Sequence, residues 1–210
     1  MCLLDYLQHH LLSRAALLRA TSIDDATLTV LQQQGAAPQP SYRLDLDIGC
    51  VSFFGKHSEQ ASQEYYATGC ALWIASVHPF HIAPFKIFAD RYRARLAALG
   101  EAGISSTIVK LNEGLDQHLK DEWNSFLDGT YGLCTRTGLP EDIAAKELAV
   151  AIIEQVLAHA SGRSLDAQQR IHLARAVDLL DSASSPFAAH EVERSSRRRL
   201  VDQVRATYLS

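Results

Sequence analysis

Two side chains suited to acid-base or metal chemistry lie one helical turn apart. His118 and Glu122 are four residues apart in a stretch whose apolar residues recur at helical spacing. This spacing places both groups on one side of a helix, where they can share a hydrogen bond or a metal ion. One His/Glu pair supplies too few ligands for a metal site. For the pair alone we favour a partly buried histidine that is hydrogen-bonded to the carboxylate.

A larger carboxylate-histidine site forms if a second helix packs against the first. We predict a helix over residues 58–77, with His57 at its start and Glu64 at the border of its apolar face. Together with His118 and Glu122, these residues could hold a transition metal between two helices of a bundle. The Glu-x-x-His spacing of ferritin-like di-iron sites is absent from the sequence, which weakens this metal prediction.

The loop that follows residue 128 carries a thiol, a phenol and a guanidinium group. Cys134 precedes a predicted helix N-terminus and lies two residues from Arg136, and both features lower a thiol pKa toward a nucleophilic thiolate. No histidine is near in sequence to act as its base, and a free cysteine is usually a small packing residue, so we favour packing. Tyr131 and Arg136 can hold an anionic substrate or bond the loop's own carbonyls, and both alternatives stay open.

Helix signals frame this loop on both sides. Asp128-Gly129 ends a helix predicted over 111–127, because glycine adopts the left-handed conformation of a helix C-terminus. Pro140 begins the next helix, which extends to about residue 160. On that helix Lys146 and Glu147 lie off the apolar face, and we expect them to be solvated or paired.

Further helices are predicted on either side. One covers about 84–99, another follows a cap at Ser164 and ends near Leu180, and a last one covers about 186–208. The last helix carries five arginines, which we expect to form a solvated face.

The N-terminal segment has the order helix, turn, helix, strand. Ser13 and Ser22 can cap the two helices, and Gly35 ends the second before the extended segment 41–47. This order resembles the winged helix-turn-helix of MerR-type regulators. Asp24 and Asp25 open the recognition helix, however, and carboxylates repel phosphates. We therefore expect a fold remnant or a protein-docking module and not a DNA reader.

Three sequence blocks carry a resemblance that covers most of the chain. They are WNSFLDGTYGLCTRTGLPEDIAAKE at 123–147, SFFGKHSEQASQEYY at 52–66 and SYRLDLD at 41–47. They resemble a bacterial family of unknown function that is associated with natural-product biosynthesis clusters. The resemblance extends from residue 3 to about residue 157. It implies a pathway context, and it transfers no catalytic residue.

Composition and charge do not point to nucleic acid or a membrane as a partner. The 210-residue chain is 47% hydrophobic and has a net charge of −4, which gives no reason to expect nucleic acid or an anionic membrane. The four cysteines show no CxxC spacing, no apolar run approaches membrane-spanning length, and the first residues show neither the basic n-region nor the cleavage site that is typical of a signal peptide. We expect a cytoplasmic protein with free thiols.

These observations predict a mostly α protein, in which a helix-turn-helix-like segment at 1–48 with one or two short strands precedes a helical bundle at 49–210. The expected function is a tailoring enzyme, or enzyme subunit, of natural-product biosynthesis that acts on a small-molecule or carrier-bound substrate. The alternatives are a non-catalytic scaffold that binds a pathway protein and, less favoured, a transcriptional regulator. The candidate catalytic residues are His118, Glu122, Cys134 and Arg136. The candidate substrate-binding residues are Tyr131, Arg136 and His57, and the candidate metal ligands are His57, Glu64, His118 and Glu122.

Overall fold

The computed structural model describes residues 2–78, 83–160 and 165–209, which are mostly helical with one three-stranded sheet. This confirms the predicted fold class. The α-helices are α1 Leu3–His10, α2 Arg14–Thr21, α3 Asp25–Gln33, α4 Cys70–Val77, α5 Pro84–Glu101, α6 Leu115–Leu127, α7 Tyr131–Cys134, α8 Pro140–Ala160, α9 Ala167–Ala183 and α10 Gln203–Tyr208. The strands are β1 Leu11–Ser13, β2 Tyr42–Ser52 and β3 Gly55–Ala67. Short 3-10 turns cover Val109–Leu111 and Val192–Arg194, and a π-helical turn covers Arg198–Asp202.

The sheet is antiparallel, with β3 in the centre of the order β1-β3-β2. β2 and β3 form a long hairpin that pairs continuously from Tyr42 opposite Tyr65 to Ser52 opposite Gly55. β1 pairs only with the last residues of β3, so the outer part of the hairpin is a two-stranded arm. Phe53 and Phe54 form its tip.

The helix predicted over 58–77 is wrong in its first half. Residues 58–67 belong to β3, and only Cys70–Val77 is helical. Leu72, which helical spacing would place on the predicted apolar face, is 67% exposed. The strand forms because each residue from 55 to 65 finds a cross-strand partner in β2, and local helical spacing cannot reveal that partner.

The N-terminal helices follow the prediction closely. The hydroxyl of Ser13 accepts a hydrogen bond from the backbone N–H of Ala16 and caps α2. Asp24, and not Ser22, caps α3, because Ser22 takes a left-handed conformation with φ of 55° at the end of α2. Gly35, with φ of 62°, ends the segment after α3.

Two main hydrophobic cores hold the helices together. The first joins α2 and α3 to α4, α5 and α6, and its largest buried side chains include Trp73, Phe88 and Tyr92. The second packs α8 against α9 and the C-terminal helix. α8 contributes to both, with Ile143 in the first and Ile152 in the second. The first core contains residues from both sides of position 48. The division of the chain into segments 1–48 and 49–210 stays a prediction.

The C-terminal region differs from the single helix predicted over 186–208 in its first half, where the described residues form a single helical turn at Val192–Arg194. Residues 196–208 are continuously helical, with a π-helical turn at Arg198–Asp202. Several of its arginines are ion-paired and not only solvated. Arg197 and Arg205 both bind Asp181, and Arg199 lies 3.4 Å from Glu154. α9 is capped by Asp166, and the predicted cap Ser164 lies outside the described residues.

Gly129, in the loop between α6 and α7, is expected to tolerate no side chain. Its φ is +78°, and an added Cβ would lie 2.5 Å from the backbone oxygen of Gln39. We expect Gly129→Ala to lower the free energy of unfolding by roughly 2–4 kcal/mol, because both left-handed strain and a backbone clash oppose it. Gly100→Ala in α5 is the control, since an added Cβ there has open space.

The control variant should be neutral or more stable by up to about 1 kcal/mol, as alanine is the better helix former. Chemical denaturation of both variants measures the difference. Equal effects would show that Gly129 is not constrained by its contact with residues 39 and 40.

No helix in the described ranges is both long enough and apolar enough to cross a membrane.

Candidate functional site

Ionisable side chains from four helices and one 3-10 turn meet in the interior. We define the buried polar cluster by its members, which are Tyr92, Lys110, His118, Glu122, Tyr131, Cys134, Lys146 and Glu147. α6 supplies the His/Glu pair at positions 118 and 122, and both residues are less than 10% exposed. Aligned apolar positions bury this face of α6, which carries the two polar groups into the interior with it.

Four of these side chains form a row. The hydroxyl of Tyr92 lies 3.0 Å from Nε2 of His118, and Nδ1 of the same ring lies 3.5 Å from Oε1 of Glu122. The hydroxyl of Tyr131 donates to the other oxygen of Glu122. Every member of the row therefore has a polar neighbour, as buried polar groups usually do. The predicted proximity of His118 and Glu122 is confirmed.

A lysine-glutamate pair from α8 borders this row. Nζ of Lys146 lies 3.4 Å from Oε1 of Glu147 and 5.8 Å from the centre of the Tyr131 ring. Nζ of Lys110 lies 3.0 Å from the other oxygen of Glu147. The side chains of Lys146 and Glu147 are only 12% and 14% exposed, so the expectation of solvated groups is wrong while that of paired groups is confirmed.

Burial sets the protonation states of the row. It raises the pKa of Glu122 to about 8, with a further contribution from the negative charge of Glu147. Burial lowers the pKa of His118 below its usual value, and the nearby Lys110 adds to this effect. At neutral pH the carboxyl group therefore holds a proton while the imidazole is neutral. In an ordinary His/Glu ion pair, by contrast, the imidazole is protonated and the carboxyl group is ionised.

The lysine-glutamate pair keeps its charges. Burial opposes the ionisation of Glu147, but the two ammonium groups of Lys146 and Lys110 outweigh it and lower its pKa. Burial also opposes the charge of Lys146, yet the neighbouring carboxylate of Glu147 helps to raise its pKa above the usual value. The cluster thus contains a fixed ion pair beside an uncharged acid and base.

His118, Glu122 and Glu147 form a group that could hold a metal ion, since one ligand atom from each lies within 4.8 Å of the others. Zinc and similar ions bind such atoms at about 2.0–2.2 Å, so the ligands would have to close together. The ammonium groups of Lys110 and Lys146 already bind Glu147, and Glu122 would have to lose its proton. The donor set suits a transition metal only after these rearrangements.

A comparison with protein-family models matches residues 84–209 to a family of unknown function, DUF6058. The match covers more than half of the chain. The chain belongs to this family. Every member of the buried polar cluster lies within the family segment, whereas the hairpin arm lies before it. No curated protein and no solved structure matches the chain.

Two of the residues predicted for the metal site lie outside the family segment and away from His118. His57 is exposed on the hairpin arm, 3.3 Å from Glu59. Glu64 lies at the base of the arm, where it binds Arg14 at 2.7 Å and Arg43 at 3.5 Å. The structure does not bring either residue to the buried polar cluster, because the segment that carries them is a strand and not a helix.

The predicted loop residues divide between two places. Tyr131 and Cys134 belong to the buried polar cluster, and burial raises the pKa of the Cys134 thiol despite the opposing effect of Lys146. A protonated thiol is a poor nucleophile, which favours the packing role for Cys134. Arg136 is exposed and lines a separate cavity.

Sequence reasoning missed Tyr92, Lys110, Lys146 and Glu147 as site residues. Tyr92 lies on the buried face of α5. The high apolar content of α8 could have indicated that Lys146 and Glu147 are buried. A helix that packs against both α5 and α9 has little exposed surface on which to place them.

Proposed function

We propose that this protein is an enzyme, or an enzyme subunit, of natural-product biosynthesis, and that it transfers protons at the buried polar cluster. The observation that carries this proposal is the row of four ionisable side chains, Tyr92, His118, Glu122 and Tyr131, inside an apolar core. Burial raises the pKa of Glu122 to about 8, and a carboxyl group that titrates near neutral pH is typical of catalytic sites. The resemblance to biosynthetic-cluster proteins supports the pathway context.

The roles follow from the protonation states. Glu122 acts as a general acid, because it still holds its proton near neutral pH. His118 acts as a general base, because its imidazole is neutral and one of its ring nitrogens carries a lone pair that can accept a proton. The hydroxyl groups of Tyr92 and Tyr131 hold these groups at the two ends of the row. The substrate is a small molecule or a carrier-bound acyl group, and the reaction needs proton removal and proton return at one substrate.

Complementation tests this role without knowledge of the substrate. The gene is deleted in the organism that encodes it, and mass spectrometry compares the metabolites of strains that carry the wild type, Glu122→Gln, His118→Phe or the surface control Glu154→Gln. We expect the wild type and the control to restore the missing product and both cluster variants to lower it by at least a hundredfold, since general acid-base groups contribute about 10²–10⁴ in rate.

Immunoblotting must show equal protein levels for this comparison. Full restoration of the product by both cluster variants would contradict the proposal.

The hairpin arm supports a second candidate function, that of a scaffold which binds a pathway protein. Phe53 and Phe54 at the tip are 98% and 96% exposed, and Val51 beside them is 79% exposed. Exposed aromatic side chains of this kind mark protein interaction sites. The double variant Phe53→Ser/Phe54→Ser belongs in the same complementation. If this double variant does not restore the product while both cluster variants do, the scaffold function replaces the enzymatic one.

The N-terminal segment is proposed as a protein-docking module and not as a MerR-type DNA reader. Arg14 is bound by Asp25 at 2.7 Å and by Glu64 at 2.7 Å, so its charge is neutralised within the segment. Asp24 caps the would-be recognition helix and presents a further negative charge there. Both features oppose contact with DNA phosphates.

A further inference from the structure

A cavity of about 400 Å³ lies beside the loop that follows α7, and no member of the buried polar cluster lines it. Its walls come from α1, the end of β3, the loop after α7 and the segment that follows α9. Its size is within the range of small-molecule sites. Its polar lining includes Arg136, Asp181, Ser184 and Arg197.

The cavity has one cation without a counter-charge. In the described part of the chain, the guanidinium group of Arg136 makes no ion pair and no side-chain hydrogen bond. Asp181 is the acid of the cavity, but Arg197 and Arg205 both bind it. Arg205 also binds Asp178, so two carboxylates neutralise two guanidinium groups and the charge of Arg136 is left without a partner among the described residues.

Ser184 provides a second, independent sign of a ligand. This residue is 4% exposed, and its hydroxyl is a buried side-chain oxygen with no hydrogen-bond partner among residues 2–78, 83–160 and 165–209. A buried hydroxyl without a partner is costly, on the order of 1–3 kcal/mol. The residue lines the cavity at the C-terminal end of α9, where a bound group could satisfy it.

We propose that this cavity binds the oxyanion group of a small phosphorylated or carboxylated molecule. The guanidinium group of Arg136 would bind two of its oxygens, since a guanidinium fork matches both phosphate and carboxylate. The hydroxyl of Ser184 would donate to the same group. The site is independent of the buried polar cluster, so it holds a ligand whether or not that cluster catalyses a reaction.

Thermal unfolding with added anions tests the site. Inorganic phosphate and acetate are titrated at constant ionic strength against chloride, and the unfolding temperature is recorded. We expect at least one of the two anions to raise it in a saturable way, as a ligand does when it binds only the folded state. A response to phosphate alone assigns the site to phosphorylated ligands, and a response to acetate alone assigns it to carboxylated ones.

Variants locate the effect. Arg136→Gln should lower the affinity for the anion tenfold or more. Arg19 is an exposed arginine on α2, away from the cavity, and Arg19→Gln should leave this affinity unchanged. Ser184→Ala should raise the unfolding temperature without anion, because it removes an unsatisfied hydroxyl, and should reduce the response to the anion. Glu122→Gln should keep the full response. The proposal is overturned if neither anion exceeds chloride, or if Arg136→Gln and Arg19→Gln respond alike.

Discussion

Replacement of Glu122 by glutamine is expected to abolish a loss of stability that the wild-type protein shows between pH 6.5 and about 8. The pKa of Glu122 is about 8 in the folded protein and 4.5 in the unfolded chain. Between these values the folded state holds a proton that the unfolded state releases, so the free energy of unfolding falls as the pH rises. The slope for one such group is at most about 1.4 kcal/mol per pH unit.

The pH window separates Glu122 from its neighbour. The pKa of His118 is lowered from 6.5, so the unfolded chain binds a proton below pH 6.5 that the folded protein refuses, and stability falls there with falling pH. The two groups oppose each other below pH 6.5, and Glu122 dominates above it. Urea denaturation at several pH values measures the slopes of the wild type, Glu122→Gln and the surface control Glu154→Gln. Parallel slopes for all three proteins would show that Glu122 is ionised when folded.

Glu147→Gln is expected to be the most destabilising change in the cluster, at roughly 3–5 kcal/mol. It leaves the ammonium group of Lys146 buried with no carboxylate partner, and breaking a buried ion pair from one side has this cost. Lys146→Met should cost less, because Glu147 keeps Lys110 at 3.0 Å. Lys110 itself is 44% exposed and can remain in solvent when its partner is lost.

A double-mutant cycle checks this order. The variant Lys146→Met/Glu147→Gln should be more stable than Glu147→Gln alone, because it removes the unpaired ammonium group. Glu154→Gln on the same helix is the reference for an exposed pair, and its effect should not exceed about 1 kcal/mol. Additive effects of the two single changes would contradict a buried ion pair between Lys146 and Glu147.

The parts of the fold that depend on local sequence were predictable. Gly129 has the left-handed conformation expected after α6, and Pro140 begins α8. Ser13 caps α2 as predicted. Each of these features is determined by one residue and its immediate neighbours, through backbone freedom, a missing N–H or a capping hydroxyl.

The hairpin was not predictable in the same way. β3 depends on pairing with β2, and its outer residues are polar on both faces, so they show no alternation of apolar and polar residues that would indicate a strand. The error displaced His57 and Glu64 from the predicted site. The candidate site was half predictable, because the spacing of His118 and Glu122 is a property of one helix. Their neighbours Tyr92, Lys146 and Glu147 come from other helices, and only tertiary packing brings them there.

The protonation state of Glu122 is the central claim, and infrared spectroscopy measures it most directly. Difference spectra between wild type and Glu122→Gln are recorded from pH 6.5 to above 8. We predict a protonated-carboxyl band at neutral pH that is absent from the variant and that titrates away near pH 8. A carboxylate signal for Glu122 throughout this range would contradict the assignment of Glu122 as a general acid and, with it, proton transfer at the buried polar cluster.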